Sequence, residues 1–178
     1  MKNLWQNEWF QCACWIVLAI TAFNTFDQFS PWSLRINTTN SIPRGLYLAT
    51  AHHSNEPLLE NQIACYRYNP PQWAVVRNYT PVGMPICKYV LALPGDELRV
   101  TTTTVSRVRA GMVSSLGTRI QKDKAGLPVP PLDLKDSILK NGEYWLGSLY
   151  NLRSFDSRYV GPIQSADINV TLVPLLTE

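Results

Sequence analysis

The sequence predicts a mainly β protein, an antiparallel domain of short strands that follows one N-terminal transmembrane helix. The 178-residue chain contains 13 prolines and 9 glycines, which favour many turns and short strands over a helical bundle. Its longest uncharged apolar run lies near the N-terminus, over residues 9–26. Two domains are therefore expected: a membrane anchor over residues 1–27 and a β-domain over residues 28–178.

The N-terminal run has three competing interpretations: a cleaved signal peptide, a core helix or an uncleaved anchor. Its length of about eighteen residues is near the lower limit for crossing a hydrocarbon core of about 30 Å. Lys2 is the only base ahead of it, and no Ala-x-Ala cleavage site follows, which favours the anchor. Residues 27–40 then read as an extended linker that keeps Ser41 close to the bilayer.

Ser41 is the first candidate for chemistry. Pro43 and Gly45 break any helix around it, so the serine lies on a turn, and Thr39 supplies a second hydroxyl two residues earlier. Ser-x-Pro is also a common loop sequence, so a catalytic interpretation requires a base. His52 and His53 are predicted to lie in a solvated loop with no carboxylate spaced to orient them, and a Ser-His-Asp triad is not expected.

The middle of the chain alternates in the manner of strands. A strand is predicted over residues 61–68 and a short helix after the two prolines over residues 72–79. A second strand, over residues 85–93, contains Lys88 and ends in Pro-Gly-Asp. Lys88 either points outward to solvent or is buried and neutral. A buried lysine has a lowered pKa, and its neutral amine can accept a proton from a serine.

The second half predicts a hairpin over residues 98–108, a loop over 111–131 and strand character over 137–147. In the segment 153–162, Asp156 and Arg158 lie two residues apart and can pair if the backbone is extended. Ser154 and Ser157 add hydroxyls that could bind a lysine amine, although a charged turn would have the same sequence.

Three motifs in this order resemble the boxes of the signal peptidase I (S26) family of serine-lysine peptidases. They are Ser41-Ile42-Pro43, the stretch from Lys88 to Asp96, and the stretch from Ser154 to Gly161. The residues that flank Ser41, from Asn37 to Tyr47, are closer to the family's TraF-type conjugative-transfer branch. One departure is visible: the family usually has Gly-Asp-Asn before its last box, and this chain has Gly147-Ser148-Leu149.

The resemblance implies a role for each matching residue. Ser41 would be the nucleophile and Lys88 the neutral general base. The Ser41 N–H and the Thr39 hydroxyl would stabilise the oxyanion. Ser154 would orient the lysine amine, and Asp156 with Arg158 would form a supporting ion pair. Neither a cofactor nor a metal is expected, and the fold would be the antiparallel β-domain of a signal peptidase.

The resemblance also implies a setting. The catalytic domain would face the periplasm from the bacterial inner membrane, with the lipid bilayer, a membrane-bound pilin-like precursor and components of a type IV secretion system as partners. An acyl-enzyme would be resolved by water, or by the substrate's own amine to close a ring. In an oxidising periplasm, Cys65 and Cys87 in two predicted strands could form a disulfide. A net charge of +3 without a Lys/Arg cluster indicates no nucleic-acid partner.

Three alternatives remain open at this point. The chain could be a general signal peptidase that removes signal peptides, or a non-catalytic membrane-tethered subunit of a secretion or conjugation apparatus. A self-cleaving repressor would share the serine-lysine pair but requires a DNA-binding helical domain, and the N-terminus is an apolar run instead.

Overall fold

The protein divides into two compact units, with the boundary between Ser33 and Leu34. A computed structural model describes residues 8–29, 32–79 and 81–178, with side chains of the first segment described up to residue 21. Among the described residues, the first unit contains one helix and the first two residues of the first strand. The second unit contains the rest of that strand, all the other strands and all the predicted site residues.

Helix α1 (Glu8–Phe29) covers the predicted apolar segment and extends three residues beyond it. Along it, Trp15, Ile16 and Val17 are exposed. In the described part of the chain, no helix combines the length and the apolar character needed to cross a bilayer. The predicted transmembrane helix is therefore not supported, because polar residues such as Gln11, Thr21 and Asn24 interrupt the apolar run. The predicted extended linker over residues 27–40 is wrong at its start, where the helix continues to Phe29. Residues 32–37 are extended, but as strand β1 (Trp32–Asn37) of a sheet and not as a linker.

Seven strands form the larger sheet: β1, β2 (Gly45–Ala51), β3 (Ile63–Arg67), β4 (Pro85–Ala92), β9 (Glu143–Gly147), β10 (Ile163–Gln164) and β11 (Ile168–Thr177). Their order in the sheet is β1-β2-β11-β3-β4-β9-β10. From β2 onward every pairing in this sheet is antiparallel. The mainly antiparallel β fold is thus confirmed.

Four strands form the smaller antiparallel sheet, in the order β7-β6-β5-β8. They are β5 (Glu97–Val100), β6 (Thr104–Arg109), β7 (Met112–Thr118) and β8 (Ser137–Ile138). The predicted hairpin is confirmed as β5 and β6. The predicted loop over residues 111–131 is wrong at its start, because β7 pairs with β6 through a turn at Ala110 and Gly111, both at positive φ.

Two short helices complete the fold. Helix α2 (Gln72–Val76) follows Pro71 as predicted but is shorter, and α3 (Ser157–Val160) begins at the cap residue Asp156. The segment that contains Asp156 and Arg158 is thus a helix start and not extended. Of the two histidines, His53 is exposed as predicted, whereas His52 is buried at 8% exposure.

The buried apolar side chains form three clusters. One cluster contains Tyr66, Val90 and Leu146 from adjacent strands of the larger sheet. A second, around Trp145 and Leu98, joins the two sheets. The third contains Ile42 and Tyr47, which both follow Ser41, so the chain is anchored in the core where it leaves the Ser41 turn.

Candidate active site

A cavity of about 1230 Å³ opens in the second unit. Four residues singled out for chemistry line it: Thr39, Ser41, Lys88 and Ser154. Cys65 and Cys87 also line it, and the structure joins them in a disulfide between directly opposed positions of β3 and β4. Asp156 and Arg158 are not among the lining residues. Neither are His52 and His53.

The turn that carries Ser41 is held by one side chain at the end of β1. The Asn37 amide donates hydrogen bonds to the carbonyls of Thr39, Ile42 and Pro43 at 2.9, 3.0 and 2.9 Å. Its Oδ1 accepts from the Thr39 N–H at 3.1 Å and from the Thr39 hydroxyl at 2.8 Å. The Tyr47 hydroxyl donates to the Pro43 carbonyl at 2.6 Å. The turn is therefore fixed before any substrate binds, as a positioned nucleophile requires.

Gly45 connects this turn to the sheet. Its φ of +146° and its closeness to β11 exclude a side chain, because an added Cβ would lie 2.0 Å from the Leu176 carbonyl oxygen. β2 can therefore lie close to β11 immediately after the turn, and the position of Ser41 follows from the pairing of those two strands.

The Ser41 hydroxyl lies 3.3 Å from the Ser154 hydroxyl, in hydrogen-bond contact. The backbone N–H of Ser41 has no hydrogen-bond partner within the described residues and is available to a ligand. The Thr39 hydroxyl, in contrast, donates to Asn37, so it would have to rotate before it could reach an oxyanion.

Lys88 is buried, at 3% exposure, among apolar neighbours. It lies on the same face of β4 as Ile86 and Val90, and opposite Ala64 of β3. Its side chain has no hydrogen bond or ion pair to any residue that the structure describes. Burial lowers the pKa of Lys88 to about 8. The negative charge of Asp156 raises this pKa, and the positive charge of Arg158 lowers it. Of the two sequence interpretations, the outward-pointing lysine is excluded.

Asp156 and Arg158 form an ion pair behind the cavity, with side-chain exposures of 0% and 1%. The contact is bidentate, with Arg158 Nε to Asp156 Oδ1 at 2.8 Å and Nη2 to Oδ2 at 2.7 Å. The guanidinium also donates to the carbonyls of Thr118, Asn151 and Ser154, at 3.0, 3.1 and 3.2 Å. The pair thereby fixes the backbone of the segment that presents Ser154.

Ser148 connects this segment to the Ser41 turn. Its hydroxyl donates to the Ser41 carbonyl at 2.7 Å and accepts from the Asn151 N–H at 3.2 Å. Its backbone N–H donates to Asp156 Oδ2 at 3.1 Å. One residue therefore contacts the Ser41 backbone, the Ser154 segment and the buried carboxylate.

Comparison with known proteins decides the family. The profile described as "Signal peptidase, peptidase S26" matches residues 6–174. The chain belongs to the peptidase S26 family. Two proteins of Escherichia coli, each described as "Plasmid transfer protein TraF", are 35% and 34% identical to it. Each alignment covers 80% of this chain and 82% of the relative. The resemblance to the TraF-type branch of the S26 family is confirmed.

Sequence reasoning about this S26 protein missed two positioning residues, Asn37 and Ser148. Asn37 was noted only as part of a motif, and the signal for its role was the Asx residue two positions before Thr39 at the start of a turn. Ser148 was noted only as a departure from the family's Gly-Asp-Asn. Its contact with Ser41 spans 107 residues of sequence, which no local pattern reveals.

Proposed function

We propose that the protein is a serine endopeptidase in which Ser41 is the nucleophile and Lys88 the general base. The observation that carries this proposal is the pairing of an unpartnered, buried lysine with a serine on a rigid turn at one cavity. A lysine buried without a counter-ion is costly to a fold, and chemistry that needs a neutral amine accounts for its presence.

In the first half of the reaction, the neutral Lys88 amine takes the proton of the Ser41 hydroxyl as the oxygen attacks the scissile carbonyl carbon. The Ser41 N–H would stabilise the oxyanion of the tetrahedral intermediate. The Lys88 ammonium then returns the proton to the leaving amine, the C–N bond breaks, and an ester to Ser41 remains. Ser154, in contact with the Ser41 hydroxyl, would orient the reacting groups.

In the second half, a nucleophile attacks the ester and Ser41 regains its proton through Lys88. Water as the nucleophile gives a linear product. The substrate's own N-terminal amine gives a new peptide bond, and the ring is lighter than the linear product by one water. Both outcomes use the same residues.

We propose that the substrate is a conjugative pilin or another exported precursor. The identity to two proteins described as plasmid transfer proteins supports a role in transfer over general signal-peptide removal. We further propose that the catalytic unit works in the periplasm, at the inner membrane and beside components of a type IV secretion system. The disulfide between Cys65 and Cys87 supports an oxidising compartment.

The test is mass spectrometry of a pilin precursor co-expressed with the wild-type protein, Ser41→Ala or Lys88→Met. The expected result is a shortened product with the wild type only, and a further loss of one water identifies ring closure. The matched control is Lys140→Met, an exposed lysine away from the cavity, which should process like the wild type. Equal masses in all four samples would contradict the proposal. Rescue of secretion in cells depleted of their own signal peptidase would favour the general enzyme instead.

A further inference from the structure

The cavity that contains Ser41 has an uncompensated positive rim. Five exposed cations line it and come from four separate segments of the second unit: Arg35, Arg67, Lys122, Lys124 and Arg153. The lining contains one carboxylate, Asp123, which is already bound. It accepts hydrogen bonds from Arg77, from the Tyr79 hydroxyl and from the backbone N–H groups of Ala125 and Leu127.

The arginines show that this rim differs from the rest of the surface. The chain has ten arginines, all of them in the described segments. Seven have side-chain partners: Arg44, Arg77, Arg99, Arg107, Arg109, Arg119 and Arg158. No hydrogen bond, ion pair or ring contact to any described residue engages the side chains of the other three. All three of them, Arg35, Arg67 and Arg153, line the cavity.

These three arginines lie close in sequence to the residues that build the site. Arg153 directly precedes Ser154, which contacts the Ser41 hydroxyl. Arg35 precedes Asn37 by two residues on β1, and so faces the same side of that strand. Arg67 follows Cys65 by two residues on β3, at the end of the strand pair that the disulfide joins. A ligand that reaches Ser41 therefore passes free guanidinium groups on several sides.

We propose that the segment of substrate bound in this cavity carries carboxylate side chains, which pair with the guanidinium groups of Arg35, Arg67 and Arg153. The inference rests on the proposed function and specifies its substrate as an acidic polypeptide. A planar guanidinium binds a carboxylate through two parallel hydrogen bonds, and a cavity with one sign of charge concentrates ligands of the opposite sign. Between the cations, Trp73, Ile86 and Phe155 offer apolar contacts for the intervening residues. That combination of apolar contacts and separated charges suits a peptide.

The test begins with binding, which does not depend on cleavage. The probes are fluorescent dodecapeptides with a central Ala-rich segment. The pair of Glu residues is moved along the peptide from one member of the series to the next, and each peptide has a matched control with Gln in place of Glu. Anisotropy measures their affinity for the full-length Ser41→Ala protein. We expect the best Glu peptide to bind about tenfold more tightly than its Gln control, and the preference to vanish at about 0.5 M salt.

Charge variants assign this preference to the rim. In the same Ser41→Ala background, Arg35→Gln/Arg67→Gln/Arg153→Gln should lose the preference for Glu. Arg99→Gln/Lys135→Gln/Lys140→Gln changes the net charge equally at positions outside the cavity lining and should retain it. Equal binding of Glu and Gln peptides, or equal loss in both triple variants, would overturn the proposal.

Further results separate the acidic substrate from the proposed peptidase activity and from binding to lipid. Cleavage of peptides by the wild type without any preference for Glu would overturn the acidic substrate and leave the proposed peptidase standing. Glu-selective binding without cleavage of any peptide or precursor would support the acidic ligand and count against the peptidase. If the rim variant loses binding only to vesicles that contain phosphatidylglycerol, the cations serve an anionic lipid surface and the proposal is wrong.

Discussion

Two buried cations, Arg158 and Lys88, have opposite surroundings. Arg158 is bound by Asp156 in a bidentate ion pair and donates to several backbone carbonyls. Lys88 is equally buried and has no partner in the described part of the chain. A charge that is always present has to be compensated in the interior, whereas an amine that works in its neutral form is best left without a counter-ion. This difference is the one expected if Arg158 serves structure and Lys88 serves the proposed chemistry.

The largest expected effect concerns Arg158, the buried cation that is paired with Asp156. Asp156→Ala leaves the Arg158 guanidinium buried and unpaired, and it also removes the acceptor for the Ser148 N–H. We expect a loss of about 3–5 kcal/mol in the free energy of unfolding, measured by urea denaturation. Glu97→Ala, which breaks the exposed pair with Arg99, is the matched control and should cost less than about 1 kcal/mol. Similar losses for the two variants would contradict a structural role for the buried pair.

Lys88, the buried amine without an ion-pair partner, should control the pH dependence of activity. The neutral amine is the active form, and the pKa of Lys88 is about 8, so the rate should rise with pH up to that value. We expect kcat/KM to increase about tenfold between pH 6 and 7 and about fivefold between pH 7 and 8, and to level off above about pH 9. The measurement is single-turnover cleavage in constant ionic strength. A rate that is constant from pH 6 to 8 would rule out Lys88 as the base.

Replacement of Lys88 should affect stability in the opposite direction from replacement of Asp156. Lys88→Met keeps the side-chain volume and removes the desolvated amine, so we expect an inactive protein that is more stable by roughly 1–3 kcal/mol at pH 7. Because the folded pKa of Lys88 lies below the ordinary 10.5, the unfolded chain binds more protons between pH 8 and 10.5. Wild-type stability should therefore rise across that window, and this contribution should be absent from the variant. A destabilised Lys88→Met protein would point to a structural lysine.

A smaller effect is expected for Ser148, which contacts both the Ser41 carbonyl and the Asp156 carboxylate. Ser148→Ala removes the hydrogen bond to the Ser41 carbonyl and keeps the backbone N–H that Asp156 binds. We expect kcat to fall about fivefold with little change in KM, since one neutral hydrogen bond contributes about 1 kcal/mol. Ser148→Thr should restore most of the rate. Ser115→Ala, in β7 and outside the cavity, is the control. A change in KM alone would assign Ser148 to substrate binding.

Strands with an apolar run could be predicted from the sequence, and a strand with a polar composition could not. β4 was predictable because its residues form a continuous apolar run, and its single lysine was conspicuous for the same reason. β7 was not, because Ser114, Ser115 and Gly117 give it the composition of a loop, and only its pairing with β6 makes it a strand. The continuation of α1 to Phe29 was missed because polar residues there resemble a linker.

At the site, the residues proposed for the chemistry could be named from ordered motifs, and the residues that hold them could not. Ser41, Lys88 and Ser154 lie within such motifs. The roles of Asn37 and Ser148 depend on hydrogen bonds to a turn and to a carbonyl that only the folded chain brings within reach. The free arginines of the rim likewise look ordinary in sequence, since it is the pairing of the other seven that distinguishes them.

The most direct test of the account is the titration of Lys88 itself. NMR of the protein labelled in its lysine side chains, with Lys88 assigned by its absence from Lys88→Met, follows each amine as the pH is raised. We predict a midpoint of about 8 for Lys88 in the Ser41→Ala protein. A midpoint near 10.5 would show an ordinary lysine and would contradict its role as the neutral base.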